Sequence, residues 1–523
     1  MVPISIRDVL ILALCFVVHL SYRKQRRRLL PLPPGPFRWP IVGNAFIFPL
    51  TYVHRFYKDL TDRLVGRPII VLNDINIARD LLEKRSALYS SRPVSPMVHD
   101  VIGYKIMFAL MPYGDDWRNH RRVFRQHLSE KHLPQIQERA LEFVRKGLLA
   151  NLVDSSDKLH DHVRNTIGGL SMSMTYGLPV QRQNDPLVRF VEDAFTNLAG
   201  AVAPGKYFVN VLAPLKYVPR WMPGAGFKRK GKEMRKHLDR LLEEPYQATL
   251  RQMEGGIGPP SFVVDALEQS SQSSDYDIRA QYVKQTALQI FAALSETTVA
   301  SVLTFFLAML LHPDIQLKAQ KELDSVIGPD RLPEFSDIAH LVFISAIVKE
   351  LLRWNPIVPA GVPHMTTEED VYMGYYIPKN CIIMPNTYAM LQDEVVFPEP
   401  EKFKPERFMN QEGGIREDLP DPEFVATFGF GRRICPGAHI ARSTLTIAVA
   451  SVIYLFDISP ALDAEGKPIN VKPEFSPASI TSTLLQDKLS LRSNKITKKN
   501  AGLFDNEANL IDKAAIVAFN ELS

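Results

Sequence analysis

The chain has 523 residues, of which 46% are hydrophobic and 23% charged, with a formal net charge of +5. It can bury a large core, in what length alone would divide into roughly two or three domains. So mild a basic excess gives no ground for nucleic-acid binding, which needs a concentrated basic patch; a membrane surface or an acidic protein partner remains open.

In chain order, the first feature is the apolar run from Val9 to Tyr22, followed at once by Arg23, Lys24, Arg26, Arg27 and Arg28. A spanning helix takes about 20 apolar residues, so the run is short. Val2, Ile4 and Ile6 lengthen it only across Arg7 and Asp8. A secretory leader carries its charges before the apolar run; here they follow it and hold that end on the cytosolic side. Residues 1–22 therefore read as a membrane anchor, with a buried first helix as the alternative. Residues 23–36 read as a basic stop and a stiff proline hinge, Pro31-Leu32-Pro33-Pro34-Gly35-Pro36.

Residues 37–494 contain no linker or internal repeat and read as one mostly helical domain with a small β component. Helical periodicity marks Ser261–Gln269, Tyr282–Leu311, Asp314–Val326, Ile338–Trp354 and Ala438–Phe456. Pro313 ends one helix near Leu311 and lets the next begin near Asp314. Strand-like segments are Pro68–Leu72, Val371–Ile377 and Cys381–Asn386. The tail, residues 495–523, is polar and then weakly helical over Ala508–Phe519, with no readable motif.

The three cysteines, Cys15, Cys381 and Cys435, are far apart. They form no disulfide framework or paired zinc signature, fit a reducing compartment, and leave any functional cysteine to act alone. Cys435 stands in Phe428-Gly429-Phe430-Gly431-Arg432-Arg433-Ile434-Cys435-Pro436-Gly437. A cysteine ahead of a helix can have its thiolate stabilised by backbone N–H groups. Gly431 and Gly437 would let the main chain approach a flat ligand and adopt turns closed to other residues. Arg433 offers a fork for a carboxylate. The alternative is a buried cysteine in a glycine-rich turn.

The complete pattern FxxGxRxCxG resembles the haem-binding loop of cytochromes P-450. The resemblance implies a mainly α fold, a helical triangular prism with small β-sheets. It also implies heme b, with Cys435 as the axial thiolate on iron, pushing electron density that favours O–O cleavage. Phe428, Gly431, Arg433 and Gly437 would then belong to the cofactor loop. Glu350-Leu351-Leu352-Arg353 and Pro405-Glu406-Arg407-Phe408 are similar to the family's ExxR and PERF segments, which implies a buried, structural ion-pair network of Glu350, Arg353 and Arg407. Trp117-Arg118-Asn119-His120-Arg121 resembles WxxxR. Trp117 and Arg121 share a helical face and would reach haem propionates, unless they are simply an aromatic–cation pair. His364 stands where many members bind a propionate.

Ala293-Leu294-Ser295-Glu296-Thr297-Thr298 resembles the distal-helix motif. Splitting dioxygen consumes two protons, and a carboxyl beside a hydroxyl can relay them, which makes Glu296 and Thr297 the catalytic candidates. Leu294 replaces the usual glycine and should crowd the space in which that helix widens. A second departure is the short stretch between Gly43-Asn44 and Gly66-Arg67-Pro68, which lacks about two strands' worth of residues. Leu81–Ser86, Tyr113-Gly114-Asp115 and Met222–Phe227 look like the basidiomycete fungal branch, often labelled O-methylsterigmatocystin-oxidoreductase-like.

The implied activity is insertion of one atom of dioxygen into a lipophilic secondary metabolite, terpenoid, fatty acid, polyketide or aromatic xenobiotic. With no GxGxxG fingerprint in βαβ context, electrons would come from an NADPH–cytochrome P-450 reductase, with cytochrome b5 as a second candidate donor, docking near Cys435 and Arg432. The site would face the cytosol from the endoplasmic reticulum membrane. Expected substrate segments are Val94–Met111, Phe195–Trp221, Phe291–Leu294, Val358–Val362 and Pro477–Thr481. Two rivals are a non-hydroxylating haem-thiolate isomerase or dehydratase, favoured by Leu294, and a non-catalytic haem protein, favoured by the short stretch before Gly66.

Overall fold

The computed structural model describes residues 30–34, 55, 68–461 apart from 155–157, 182–184, 203–205 and 211, then 463, 465–469, 471, 475 and 491–494. The expected anchor (1–22), the basic cluster Arg23–Arg28, the short stretch between Gly43 and Gly66, the segment Pro477–Thr481 and the tail (495–523) lie outside the described residues.

Local sequence sets the element ends. β1 (Ile69–Leu72) leads into α1 (Ile75–Arg79), whose first turn is capped by the Asp74 carboxylate accepting from the amides of Asn76 and Ile77. The helix continues as a wider turn, Asp80–Lys84. There follow α2 (Asp115–Leu128), α3 (Leu133–Phe143), α4 (Leu159–Tyr176), α5 (Pro186–Val202) and α6 (Gly226–Glu254). Next come α7 (Phe262–Ser270), capped by Ser261 Oγ, and α8 (Tyr276–Leu311). Pro313 opens α9 (Pro313–Ile327) at the position where its missing N–H costs nothing. A 3-10 turn, Phe335–His340, separates from α10 (Val342–Trp354) what the periodicity had joined from Ile338 onward.

α8 is the spine. It packs against α2, α4, α7, α10 and α11 (Ala438–Leu455), which is why its sequence is apolar nearly all round instead of along one stripe. α8 and α11 are each long and apolar enough to cross a membrane, but 78% of each apolar window is buried within the protein, so both are core helices. Between Thr286 and Leu310 every residue of α8 is buried except Ala293, Glu296, Thr297 and Ser301. Ala293, Thr297 and Ser301 recur at helical spacing, so they form one stripe opening on a hollow.

β1 pairs in parallel with β5 (Ile382–Pro385), and β2 (His364–Met365) pairs antiparallel on its other side. Side chains of β1 alternate between two buried clusters: Ile70 and Leu72 face one, Ile69 and Val71 the other. A strand covered on both faces is continuously apolar. The expected single strand Val371–Ile377 is instead a hairpin, β3 (Asp370–Tyr372) and β4 (Tyr375–Ile377). Met373 and Gly374 at its tip have φ of 50° and 78°, the paired positive values of the tight turn that matches strand twist. Pro31 of the hinge adds to its edge, its carbonyl accepting from the Tyr376 amide at 2.8 Å. The last pair is β6 (Asp457–Pro460) with β7 (Leu491–Asn494).

A buried ion network joins α10 to the segment that follows it. The fully buried Glu350 accepts from Arg353 Nε and Nη2 at 2.8 and 2.9 Å, from Arg407 Nε at 3.1 Å and from the Lys404 amide at 2.8 Å. Remaining guanidinium donors go to the carbonyls of Leu391, Pro398, Glu399 and Lys402. Charges so deep are tolerated only with this degree of pairing, and they tie α10 to the irregular segment before Phe408. The architecture is mainly α with small sheets.

Candidate active site

Cys435 sits in the loop between the 3-10 turn Gly431–Arg433 and α11. The loop is closed by the Cys435 amide donating to the Phe428 carbonyl at 2.8 Å. Burial raises the thiol above its ordinary value, opposed by the Gly437 N–H directed at the sulfur and by the charge of Arg121. Yet the side chain is accessible. Both hold when the sulfur faces an enclosed hollow, such as the one along the Ala293–Thr297–Ser301 stripe.

The two glycines differ. Gly431 has φ +52°, and a Cβ there would stand 2.2 Å from the Leu82 carbonyl oxygen, so the cysteine loop leans on the turn after α1. Gly437 departs from the expected turn closed to other residues: its φ is −98°, and an added Cβ would meet nothing nearer than Ile440 Cδ1 at 4.0 Å.

One side of the site is a cluster of cations. Arg433 is buried and donates from Nε to Ser90 O at 2.6 Å, from Nη1 to Phe108 O at 3.2 Å and from Nη2 to Met111 O at 2.7 Å. Its ring neighbour is Trp117, with the guanidinium carbon 4.6 Å from the indole centroid; Arg121 stands 5.7 Å from the same ring. Arg121 donates to Ile434 O at 2.9 Å, next to the cysteine. Arg92, which stands in no recognisable motif, is buried and donates to Ala109 O, Val362 O and Pro363 O. His364 Nδ1 lies 2.8 Å from Tyr89 O, so the proton is on Nδ1 and the Nε2 lone pair remains.

Burial pushes Arg433 down to about 8, with Arg92 and Arg121 adding to the push, and Arg92 down to about 9. Burial also holds His364 well below its usual value, reinforced by Arg92 and Arg433. A guanidinium keeps its proton, so these depressions mark positive charge held without an anion. Among the described residues no carboxylate forms an ion pair with Arg92, Arg121 or Arg433. A dianionic group carrying two carboxylates fits this cluster, and a planar macrocycle between it, the Cys435 sulfur and the α8 stripe fits the donor set of an iron porphyrin.

On α8 the helix is regular across Leu294, and the Thr297 hydroxyl donates to Ala293 O at 2.8 Å, one turn back. Glu296 faces Glu192 of α5 and Arg164 of α4, themselves paired at 2.7 Å. Burial pushes its carboxyl up to about 7; Glu192 adds to this and Arg164 opposes it. The expected substrate segment Phe195–Trp221 is corrected in its second half. Phe208, Leu212, Tyr217 and Trp221 lie on the outer surface, Trp221 being 80% exposed, so these four do not line the interior.

The cytochrome P450 family model matches residues 33–484. The chain is 40% identical to "Cytochrome P450 monooxygenase ple1" of Rhodocybe pseudopiperita over 486 residues, 91% of this chain and 92% of that protein. It is 38% identical to "Cytochrome P450 monooxygenase COX2" of Coprinopsis cinerea, covering 86% and 87% of the two chains. Identity to the "Tryptamine 4-monooxygenase" of Psilocybe cyanescens is 34%, covering 89% and 93%.

Proposed function

The chain belongs to the cytochrome P450 family, and from that membership we propose how its own residues run a haem-thiolate monooxygenase acting on small molecules. Cys435 is the thiolate ligand of heme b, the group that, when bound, splits dioxygen and oxidises carbon. The observation that carries the assignment is an accessible sulfur in a closed loop, beside three guanidinia for which no ion-pair partner stands among the described residues. The Gly437 N–H and Arg121 favour the sulfur's anion and partly offset the burial that raises the thiol. Arg92, Arg121, Arg433 and Trp117 receive the propionates. His364, neutral as it stands, takes up a proton at Nε2 when an anion comes beside it. Phe428 and Gly431 fix the loop's shape.

Glu296 takes protons from the side of α4 and α5 and passes them along α8. With its carboxyl near neutrality it can both hold and release a proton at working pH. Thr297, whose own proton is given to Ala293 O, accepts at Oγ1 and positions the incoming donor. Because α8 is an unbroken helix across the buried Leu294, the relay runs past a regular helix, not through a widened one.

Electrons come from an NADPH-dependent flavoprotein reductase, with cytochrome b5 as an auxiliary donor, docking near Arg432. The enzyme sits on the endoplasmic reticulum membrane with its catalytic domain toward the cytosol. The exposed Phe208, Leu212, Tyr217 and Trp221 support a membrane-facing surface, since a cluster of large apolar side chains is seldom left to water. Lipophilic aromatic or terpenoid molecules fit; the relative named for tryptamine, an aromatic amine, supports the aromatic part of that range. The test is the optical spectrum of the purified, reduced protein under carbon monoxide. A strongly red-shifted Soret band is expected; a haem band without that shift removes Cys435 as ligand.

A further inference from the structure

We propose that Gln289 orients the substrate by donating a hydrogen bond from Nε2 to an oxygen on an otherwise lipophilic molecule. This deepens the monooxygenase reading and rests on it. Gln289 is buried, only 7% exposed, and lies one turn before Ala293 and two before Thr297 on α8, continuing the stripe that opens on the hollow. Its Oε1 accepts from the Ala109 amide at 3.2 Å. An amide N–H can only donate, so the carboxamide oxygen must face Ala109 and the NH2 edge must face away. Among the described residues nothing accepts from Nε2, and that atom is not sealed into the packing.

The anchor of this donor is rigid. Arg433 holds the carbonyls of Phe108 and Met111, Arg92 holds that of Ala109, and His99 Nε2 lies 3.1 Å from that of Leu110. A donor fixed at one end, with Ile290, Phe291 and Leu294 buried around it, selects for a ligand that satisfies it. A molecule without an acceptor leaves it unpaired in a dry site, the strongest form of polar discrimination. The substrate class is therefore a hydrocarbon skeleton already carrying a ketone, ether or ester oxygen. A preceding oxygenating or oxygen-retaining step must supply it. The carbon attacked lies toward Ala293 and Thr297, roughly 6–12 Å along the helix axis from that oxygen.

The test uses full-length holoenzyme and two matched probe pairs, 1-tetralone with tetralin and 2-dodecanone with dodecane, titrated by the haem spin-state shift. Gln289→Leu removes donor and anchor; Gln289→Glu, read at pH 8, keeps an acceptor for Ala109 but no donor. The ketone-over-hydrocarbon affinity ratio should fall about five- to tenfold in both variants. An unchanged ratio, or no spectral response to any probe in the unaltered enzyme, overturns the proposal. A fall in Gln289→Leu alone also overturns it, assigning Gln289 to holding the loop. If Gln289→Leu fails to fold, Gln289→Glu decides. Loss of the carbon monoxide thiolate band in the unaltered protein would instead count against the monooxygenase reading itself.

Discussion

Cys435 and Glu296 both have perturbed proton affinities, and burial is the first cause of each. What differs is the company. The sulfur has an amide N–H and a guanidinium to favour its anion; the carboxyl has a second carboxylate beside it. Cys435→Ser should abolish the thiolate spectrum and lower turnover at least ~100-fold, while circular dichroism shows the fold retained. Glu296→Gln should cut turnover and remove a titration near pH 7 from the pH–rate profile. The same variant carries a stability signature. A carboxyl raised in the folded state contributes stability below its unfolded value, and that contribution is lost as pH rises through about 7. Glu296→Gln should therefore unfold at nearly the same denaturant concentration as the parent near pH 5, and be more stable by about 3 kcal/mol at pH 8. A gain independent of pH would contradict the burial of this carboxyl. Arg92 belongs to the same scale. No motif surrounds it in the sequence, and only the convergence of residues 92, 121, 364 and 433 makes it visible as part of an anion cradle.

The α8 helix places the acid, the hydroxyl and Gln289 on neighbouring faces, and its continuity at Leu294 is the departure with most consequence. Leu294→Gly removes a buried side chain and a good helix former, at a cost of about 3–5 kcal/mol. Coupling of NADPH consumption to product should nonetheless improve, measured as product formed per NADPH oxidised; poorer coupling would mean that the regular helix is not an obstacle. Gly431 is an element-level contact of another kind. Gly431→Ala forces the loop off the Leu82 carbonyl and should weaken haem retention during gel filtration more than it weakens the helical core. Much of this was legible beforehand. The α8, α9, α10 and α11 helices follow from periodicity and from Pro313. The Cys435 loop, Glu350, Arg353, Arg407, Glu296 and Thr297 follow from motifs. Tertiary facts were not: the turn that splits β3 from β4, the role of Gly431 against a segment far away in sequence, and the surface placement of Trp221. Periodicity reports which face is buried, but not what buries it.

For the whole molecule, the Glu350 network is the joint between the helical core and the segment leading to the cysteine loop. Glu350→Gln leaves two buried guanidinia without their charge partner and should cost about 3–5 kcal/mol, read by thermal or denaturant unfolding. Haem content should fall with it, because the joint sits between α10 and the chain that leads to Cys435. The contact of Arg433 with Ser90 bridges 343 residues, and Gly431 rests on a backbone made near the start of the domain. During synthesis, the seat of the cysteine loop leaves the ribosome long before the loop itself. The early part of the chain must therefore wait, with its cations and its seat in place, for residues 428–437 to arrive. Loading of the prosthetic group must then wait for residue 435, and nascent chains truncated before Cys435 should carry none.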